Sequence, residues 1–521
     1  MDRSVTFSKF CAAIVVLVIG SARADITNLT PGVNAGPFVL SPDAGRIVFE
    51  VYEAPGGRLY SAPINAATAP APLSLPSADN GSAFLVNSQI SRDSSMIVYN
   101  RNEFPDTGWH VATYASRLDG TTPPVLLNRS KVYDDDSSQY SIAISADGHY
   151  GAVRADQGDR VFDVISGPTN GSAPAVMLNP GPHSEDLYSS ANYGLLSSGN
   201  RAIYHLPGGE DPGVFSRPFD ASEPALRLSP EGADILWYAF SVSRDQSKLL
   251  MPTYSPSGRR EVYVASPQTG QRTLLFSQED TNQFGFVRLS NDGNRAIFSL
   301  GSRQYSAPTD GSAPAQEFGP YPSGLNSQEV SPDSRLIAYM TSPENHSPTE
   351  LYVSPIDGSG IPKKLVGGLP EGMNFMQIAP DGNHIFFFDS LGRFPNFMSV
   401  ATDGSGPPVQ LAKTGGFAFT PDGSGLIVGV NPDLDYDMDS FYFVPLDGGP
   451  AVFLADSPYA GGGISQFLVT PDGSKVIFLA DDGAEHSGIF SLTVPEPTAM
   501  LTAAGALLML TVRRRSRVSL Q

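Results

Sequence analysis

The chain has 521 residues and is acidic, since 53 Asp and Glu side chains outnumber 33 Lys and Arg and give a formal charge of −20 at pH 7. Such a charge repels phosphate backbones, so a nucleic-acid partner is excluded. Hydrophobic residues make up 40% of the chain, enough for a sizeable core, and wholesale disorder is therefore also excluded. The 52 Gly and 45 Pro residues favour an all-β fold of many short strands joined by tight turns.

The first 24 residues have the three parts of a secretory signal peptide. Arg3 and Lys9 give a positive start, residues 11–20 form a short apolar run, and Ala22-Arg23-Ala24 places small residues where signal peptidase reads them. The alternative is a membrane anchor, but a run of about ten residues is half of what a bilayer requires. We therefore predict cleavage before Asp25 and export of the mature protein.

The sequence offers little recognisable chemistry. Cys11 is the only cysteine and lies in the predicted signal, so disulfides, a thiol nucleophile and cysteine-based zinc sites are excluded from the mature protein. No HExxH pair, GxSxG elbow or phosphate-binding GxxxxGK[ST] loop occurs. His149 and His384 follow turns that contain Asp, and we interpret them as exposed turn residues. We predict a protein that is not an enzyme.

The C-terminal end carries a second apolar segment between two polar motifs. Val494, Pro495, Glu496 and Pro497 precede a 15-residue apolar run over 498–512. Four arginines follow the run, namely Arg513, Arg514, Arg515 and Arg517. The run is marginal for a hydrocarbon core of about 30 Å, and the arginines would hold its end on the cytoplasmic side.

This order of motifs over residues 494–517 resembles the PEP-CTERM sorting signal, which exosortase-type membrane proteases process. In that family the Pro-Glu-Pro triplet is the recognition element, so the resemblance implies this role for Pro495, Glu496 and Pro497. It also implies an exosortase-type protease as a partner, transient membrane anchoring through the C-terminal segment, and a final location in the cell envelope or outside the cell. The alternative is an ordinary single-span tail anchor, against which the shortness of the run argues.

Between the two ends, one phrase recurs ten times: an apolar pair, Ser or Thr, a turn that usually contains Asp, and an apolar strand. Its copies begin 41 to 54 residues apart, around the period of four-stranded propeller blades. The copies start at Leu40, Ile90, Ile144, Leu196, Val242, Leu289, Val330, Ile378, Phe419 and Val469.

A second phrase follows the first in most units, with two alternating strands around an Asp-Gly or Asn-rich turn, as in RQYSAPTDGSAPAQEF from Arg303. In the Ser-Pro-Asp-Gly turns, Pro fixes φ, Asp bonds to nearby backbone amides, and Gly adopts the left-handed conformation. Each unit therefore contains four strands. Since one such sheet has two apolar faces, units must stack on each other, and a closed ring achieves this.

The ends of the repeat region predict how the ring closes. The last unit lacks a fourth strand, and residues 25–30 read like a fourth strand without a unit of its own. We predict one β-propeller over residues 25–493, with about ten blades and the N-terminal strand completing the last blade. Ten blades exceed the usual four to eight, so two smaller consecutive propellers are the alternative.

The recurring [ST]-P-D-G turn, the I/V-x-F/Y strand after it and the later D-G-S turn resemble the WD-repeat-like units of TolB-type β-propellers. The resemblance covers residues 25–493. Ser198 departs from it because most units have Asp at that place. The resemblance implies a binding scaffold, often located at the cell envelope.

One acidic motif suggests a metal. Asp433, Asp435, Asp437 and Asp439 alternate in NPDLDYDMDS, and alternate carboxylates on a loop can converge on Ca²⁺. The motif lacks the Gly and Glu of an EF-hand loop, so a solvated acidic loop is the alternative. The sequence predicts no other cofactor.

Together these features predict an exported, non-enzymatic scaffold of the cell envelope or extracellular matrix that binds a protein or a polysaccharide. Two alternatives stay open. One is a propeller enzyme, a lyase or glycan-cleaving protein, whose site in the central channel is assembled from distant segments. The other is a purely structural surface protein.

Overall fold

The computed structural model describes residues 25–494 except for short internal stretches. These are residues 54–55, 77–81, 105–109, 132–140, 157–161, 180–193, 207–211, 237–238, 281, 319–324, 343–347, 372, 374, 391–395, 414–415, 431–437, 460–461 and 483–485. Within the described residues there are 41 strands and no α-helix. No helix in this part of the chain is long and apolar enough to cross a bilayer. The apolar runs over residues 11–20 and 498–512 lie outside the described residues.

The strands fall into ten consecutive groups, which we number as blades 1 to 10. Blades 1 to 4 contain β2 (Ala35–Leu40), β3 (Arg46–Glu53), β4 (Gly56–Pro63), β5 (Ala71–Pro72); β6 (Ser82–Ile90), β7 (Met96–Glu103), β8 (His110–Arg117), β9 (Val125–Lys131); β10 (Ile142–Ile144), β11 (Tyr150–Asp156), β12 (Phe162–Pro168), β13 (Val176–Met177); and β14 (Leu195–Ser198), β15 (Arg201–Leu206), β16 (Gly213–Pro218), β17 (Leu226–Arg227).

Blades 5 to 7 contain β18 (Asp234–Ile235), β19 (Ser241–Val242), β20 (Leu249–Tyr254), β21 (Arg259–Ala265), β22 (Arg272–Glu279); β23 (Phe284–Leu289), β24 (Arg295–Leu300), β25 (Arg303–Pro308), β26 (Gln316–Phe318); and β27 (Leu325–Val330), β28 (Leu336–Thr341), β29 (Thr349–Pro355), β30 (Lys363–Leu369).

Blades 8 to 10 contain β31 (Met376–Ile378), β32 (His384–Phe388), β33 (Asn396–Ala401), β34 (Val409–Lys413); β35 (Gly416–Phe419), β36 (Gly425–Val430), β37 (Ser440–Pro445), β38 (Val452–Asp456); and β39 (Ile464–Val469), β40 (Lys475–Asp481), β41 (Ser487–Thr493), with β1 (Ile26–Asn28) as the fourth strand of blade 10.

Each blade is an antiparallel meander in which consecutive strands are neighbours. Blade 5 differs only at its first position, where β18 and β19 both pair with β20. First strands of successive blades approach each other, as β6 does with β10 and β35 with β39, which places them around a common axis. The ten sheets form one ring, so the predicted ten-bladed propeller is confirmed and the two-propeller alternative is wrong.

The ring closes as the sequence predicts. β1 pairs antiparallel with β41, with Ile26 opposite Leu492 and Asn28 opposite Phe490. Blade 10 also packs on blade 1, because Ile477 and Ile489 share one apolar cluster with Ile47. The two ends of the repeat region therefore complete a single sheet.

The second strand of each blade is apolar on both of its faces. In β3, for example, Ile47, Val48 and Phe49 are all fully buried. Ile47 packs toward blade 10, whereas Val48 joins a cluster with Ile97 of blade 2. The core is thus a series of apolar layers between neighbouring blades, each layer supplied by two sheets.

Side chains also link the inner edges of neighbouring blades. The amide of Gln466 in blade 10 accepts a hydrogen bond from Phe38 N (3.1 Å) and donates one to Phe38 O (2.8 Å) in blade 1. Glu50 accepts a hydrogen bond from Leu85 N (2.8 Å) in blade 2. First strands have no neighbouring strand on the side that faces the axis. These side-chain contacts give hydrogen-bond partners to backbone groups on that side.

The recurring turn is organised by a buried hydroxyl. In blade 1 the Ser41 Oγ accepts a hydrogen bond from Arg46 N (3.0 Å) and donates to Asp43 Oδ1 (2.6 Å), which also accepts from Gly45 N (2.9 Å). Seven blades share this arrangement, with the hydroxyl from Ser41, Ser91, Ser145, Ser243, Ser290, Ser331 and Thr470. The predicted bonds from Asp to backbone amides are therefore confirmed.

The two kinds of connection lie on opposite faces of the ring. In an antiparallel meander, the turn from first to second strand and the turn from third to fourth strand leave the same end of the sheet. Since all blades direct their first strands to the axis, these turns share one face, which we call the turn face. The opposite face, which we call the loop face, carries the second-to-third and blade-to-blade connections.

The residue after the turn Asp has positive φ, whether or not it is glycine. Gly473 has φ of 71° in blade 10, and Ala44 has φ of 52° at the equivalent place in blade 1. A side chain in this conformation costs about 1 kcal/mol. We expect Ala44→Gly to raise the free energy of unfolding, and Gly473→Ala to lower it, each by about 1 kcal/mol. Urea unfolding would measure both, and shifts of the same sign would contradict the turn geometry.

The register of ring closure is also testable. Thr27 faces Ser491 across the β1–β41 pair, and facing residues in antiparallel strands lie at a Cα separation that a disulfide spans. We expect Thr27→Cys/Ser491→Cys to form a disulfide under oxidising conditions and to raise the melting temperature by several degrees. The pair Thr27→Cys/Lys475→Cys is the control, since Lys475 lies on β40 and should not cross-link. Equal cross-linking of both pairs would contradict the closure.

Candidate functional site

The predicted site residues lie mostly outside the described residues. This holds for Asp433, Asp435 and Asp437 of the calcium motif, for Pro495, Glu496 and Pro497, and for Arg513, Arg514 and Arg515. Asp439 is described and continues blade 9, where its N–H donates to Val430 O (3.0 Å). In the described part of the chain, no three His, Cys, Asp or Glu side chains are placed to hold a metal ion. The calcium site stays a prediction.

Val494 is the one residue of the predicted sorting signal that the structure describes. Its side chain is 9% exposed and belongs to the apolar cluster of blades 9 and 10. Its N–H donates to Ser474 O (2.8 Å) at the turn face, next to the site where Thr493 N meets Asp25 O (3.4 Å). The Pro-Glu-Pro triplet therefore follows directly on a packed residue of blade 10.

The turn face carries a regular series of carboxylates. Burial opposes the ionisation of Asp93, but hydrogen bonds from the Ser91 hydroxyl and the Ser95 N–H outweigh it and lower the pKa of Asp93. The pKa of Asp147 is lowered in the same way by bonds from Ser145 and His149. Because both groups stay ionised well below neutral pH, the turn face presents fixed negative charge at these positions.

Between blades 2 and 3 the turn face opens into a groove of about 910 Å³, which we call the 2–3 groove. Asp93 and Asp147 line it together with Tyr150 and Asn170. The side chain of His149 is 77% exposed at its edge, with Nδ1 3.4 Å from Asp147 Oδ2. The groove thus combines ionised acceptors, amide and hydroxyl groups and one half-buried aromatic ring, which suits a ligand rich in hydrogen-bond donors.

The 2–3 groove continues toward the rim into a second space of about 440 Å³. The two spaces share Val125 and Pro168 as walls. The outer space is lined by apolar and small residues, including Leu126, whose exposed fraction is 46%, and Pro174. A ligand that fills both spaces would be polar at its inner end and apolar at its outer end.

Blades 6 and 7 form a smaller groove on the same face, of about 530 Å³. Its three carboxylates, those of Asp292, Asp310 and Asp357, lie among three basic side chains, those of Lys248, Arg295 and Arg335. Its charge is therefore balanced within the protein, in contrast to the acidic inner end of the 2–3 groove.

A separate network of buried charges lies toward the loop face of blade 2. Glu103 accepts hydrogen bonds from Arg101 (2.9 Å) and Tyr114 (2.8 Å) at one oxygen and pairs with Arg129 (2.9 Å) at the other. The side chains of Arg101 and Glu103 are only 4% and 5% exposed. Both oxygens of the Glu103 carboxylate therefore have partners, so its buried charge is compensated within blade 2.

Blades 3 and 4 contain a related set of buried polar groups. Asn179 donates to Asp163 (3.0 Å) and accepts from Val164 N (2.6 Å). Burial, assisted by the positive charge of Arg154, lowers the pKa of His205 to about 4. At neutral pH the His205 imidazole is therefore uncharged.

Sequence reasoning places some of these residues and misses others. The interpretation of His149 as an exposed turn residue is confirmed. For His384 it is wrong, because its side chain is 27% exposed and lies against Asp381, with Nδ1 3.6 Å from Oδ2. Sequence reasoning does not identify Arg101 and Arg154, whose only signal is a basic residue that follows the apolar first half of a second strand.

No protein-family model matches the sequence, and a search of curated proteins found no significant relative. Solved structures that align with this chain include one titled "Crystal structure of the eukaryotic initiation factor". The alignment has 14% sequence identity and a TM-score of 0.46, and it covers 78% of this chain and 96% of that chain. They also include TolB from Acinetobacter baumannii, at 16% identity and a TM-score of 0.27, covering 61% and 81%. Putative TolB from Agrobacterium tumefaciens is also 16% identical, with a TM-score of 0.28 and coverages of 58% and 100%. Likeness at these scores gives no information on activity.

The buried His205 predicts a pH dependence of stability. Its pKa is about 4 in the folded chain and near 6.5 when unfolded, so only the unfolded state takes up the proton between these values. We expect this group to remove up to about 3 kcal/mol of stability as pH falls from 6.5 to 4. As pH is lowered from 8 to 4, the urea midpoint should decrease less steeply in His205→Gln than in the natural protein, and identical slopes would contradict the assignment.

Proposed function

We propose that the protein is an exported, non-enzymatic scaffold of the cell envelope or extracellular matrix that binds a protein or polysaccharide partner through its turn face. The observation that carries this proposal is the 2–3 groove, with Asp93, Asp147 and Tyr150 in its lining. The groove is formed by short turns that the buried hydroxyls hold in place. It is therefore a preformed surface, which favours binding because little conformational entropy is lost.

The proposed export and C-terminal processing rest on the two ends of the sequence. In the sequence, the signal-like residues 1–24 directly precede β1 and the PEP-CTERM-like residues 494–517 directly follow β41, and both strands belong to blade 10. An exosortase-type protease would cut the C-terminal segment after transient membrane anchoring. The lack of recognisable catalytic motifs in the sequence supports a binding role over the enzyme alternative.

Intact-mass measurement tests whether the two terminal segments are removed. In cells that contain an exosortase, we expect the mature protein to begin at Asp25 and to lack Arg513, Arg514 and Arg515. Pro495→Ala/Pro497→Ala should leave the basic tail in place, whereas wild-type protein should lose it. Recovery of wild-type protein with the tail intact would contradict the proposed processing.

A bulky side chain at the groove tests the binding role. Ser172 is exposed at the third-to-fourth turn of blade 3 and lines the 2–3 groove, whereas Ser312, which holds the equivalent place in blade 6, is exposed and does not line that groove. We expect Ser172→Trp to reduce capture of envelope or matrix material by the protein purified from its producing cells at least tenfold, and Ser312→Trp to leave it unchanged.

The same measurement separates the alternatives. No bound material with either variant or with the natural protein would favour the purely structural role. Turnover of a polysaccharide or peptide, abolished by one point substitution, would favour the enzyme. Equal capture by both variants would contradict the groove as the binding surface.

A further inference from the structure

Val494 occupies a position that recurs around the ring. It is the first residue after the third strand of blade 10, and its N–H donates to the carbonyl oxygen of Ser474, the residue before the second strand (2.8 Å). The first residue after the third strand makes the same bond in eight other blades, and all but one of these residues are buried, as Val494 is. They are Ile64, which is partly buried, Leu118, Thr169, Phe219, Thr309, Ile356, Thr402 and Leu446. Val494 is therefore part of the propeller repeat.

The residue after this position starts the turn to the fourth strand. In the same eight blades it is Asp or Asn, and its side-chain oxygen accepts a hydrogen bond from the backbone N–H two residues further on, as Asp447 does from Gly449 (2.9 Å). These residues are Asn65, Asp119, Asn170, Asp220, Asp310, Asp357, Asp403 and Asp447. Blade 10 has Pro495 at this place, whose side chain has no acceptor, and β1 supplies its fourth strand. The repeat therefore ends at Val494, and Pro495 is the first residue outside it.

The strand that precedes Val494 is enclosed on both sides. β41 pairs with β40 along all seven of its residues and with β1 at three of them. The Val494 side chain shares an apolar cluster with Leu492 and Phe478. A protease cuts chain that local opening has freed from its neighbours. A cut at or before Val494 would therefore require β41 to separate from both neighbours and the ring to open.

Resting on the proposed function, we propose that the exosortase-type protease acts on the folded propeller and cuts between Pro495 and Thr498, so that the mature protein keeps Val494 and all of its strands. Pro495, Glu496 and Pro497 are the residues that separate Val494 from the predicted apolar run. The cut consumes one water molecule. The acyl carbon takes the hydroxyl group and becomes the new C-terminal carboxylate, and the nitrogen takes the proton and leaves with the arginine-rich tail.

Peptide mapping of the mature protein, purified from cells that contain an exosortase, tests the position of the cut. We expect the C-terminal peptide to end at Pro495, Glu496 or Pro497. A C-terminus at or before Val494 would overturn the proposal and leave the proposed processing standing, since the tail would still have been removed. Recovery of the chain with its tail intact would overturn the processing itself, so the two failures are distinguishable.

Two variants that introduce the same residue one position apart test where the protease begins to read the chain. Val494→Thr places in blade 10 the residue that blades 3, 6 and 8 have at this position, and we expect the tail to be removed at the natural rate. Pro495→Thr should slow removal at least tenfold. Slowing of that size by Val494→Thr at a natural melting temperature would overturn the proposal. Should Val494→Thr lower the melting temperature, Val494→Ile replaces it, because blades 1 and 7 have Ile there.

Hydrogen exchange of the full-length chain in detergent tests the boundary without any protease. The Val494 N–H is bonded to Ser474 O as the Leu446 N–H is to Ser424 O (3.3 Å) in blade 9. We expect both amides to exchange at least a hundredfold more slowly than in the chain unfolded by urea. Exchange of Val494 at the unfolded rate, with Leu446 protected, would overturn the proposal, because the fold would then not restrict the protease at this residue.

Discussion

Every blade depends on having a neighbour on each side. The second strands carry apolar side chains on both faces, and residues such as Ile47 and Val48 are fully buried only because blades 10 and 2 cover them. A row of such sheets would leave two apolar faces in water, at a cost of about 25 cal/mol for each Å². A ring has no terminal sheet, so the demand for burial itself favours closure.

The buried turn hydroxyl connects this core to the chemistry of the surface. Ser91 and Ser145 fix the start of the second strand and, with the same oxygen atoms, hold Asp93 and Asp147 in one orientation. The carboxylates on the turn face are therefore positioned by groups that belong to the core. Three blades depart from this arrangement, and the side chains beside the turns vary as well, as Met96 of blade 2 and Lys248 of blade 5 do at equivalent positions.

Much of the fold could be predicted because short local sequence motifs determine its turns and strands. The Asp-containing turns mark each blade, and the spare strand at residues 25–30 predicts its pairing with β41, which the structure confirms. The Asp-to-amide bonds follow from turn chemistry alone. The groove could not be predicted, because Asp93, Thr169 and Leu126 become neighbours only when two blades stack. The depressed pKa of His205 is equally hidden, since burial by surrounding strands causes it.

The closure of the ring also sets its mechanical behaviour. Asp25 and Val494 lie at the same end of the short β1–β41 ladder, where Thr493 N meets Asp25 O. A pulling force applied between these two residues would load the three residue pairs one after another, as a zipper is opened, rather than all at once in shear. Tension between Asp25 and Val494 would thus detach β1 first.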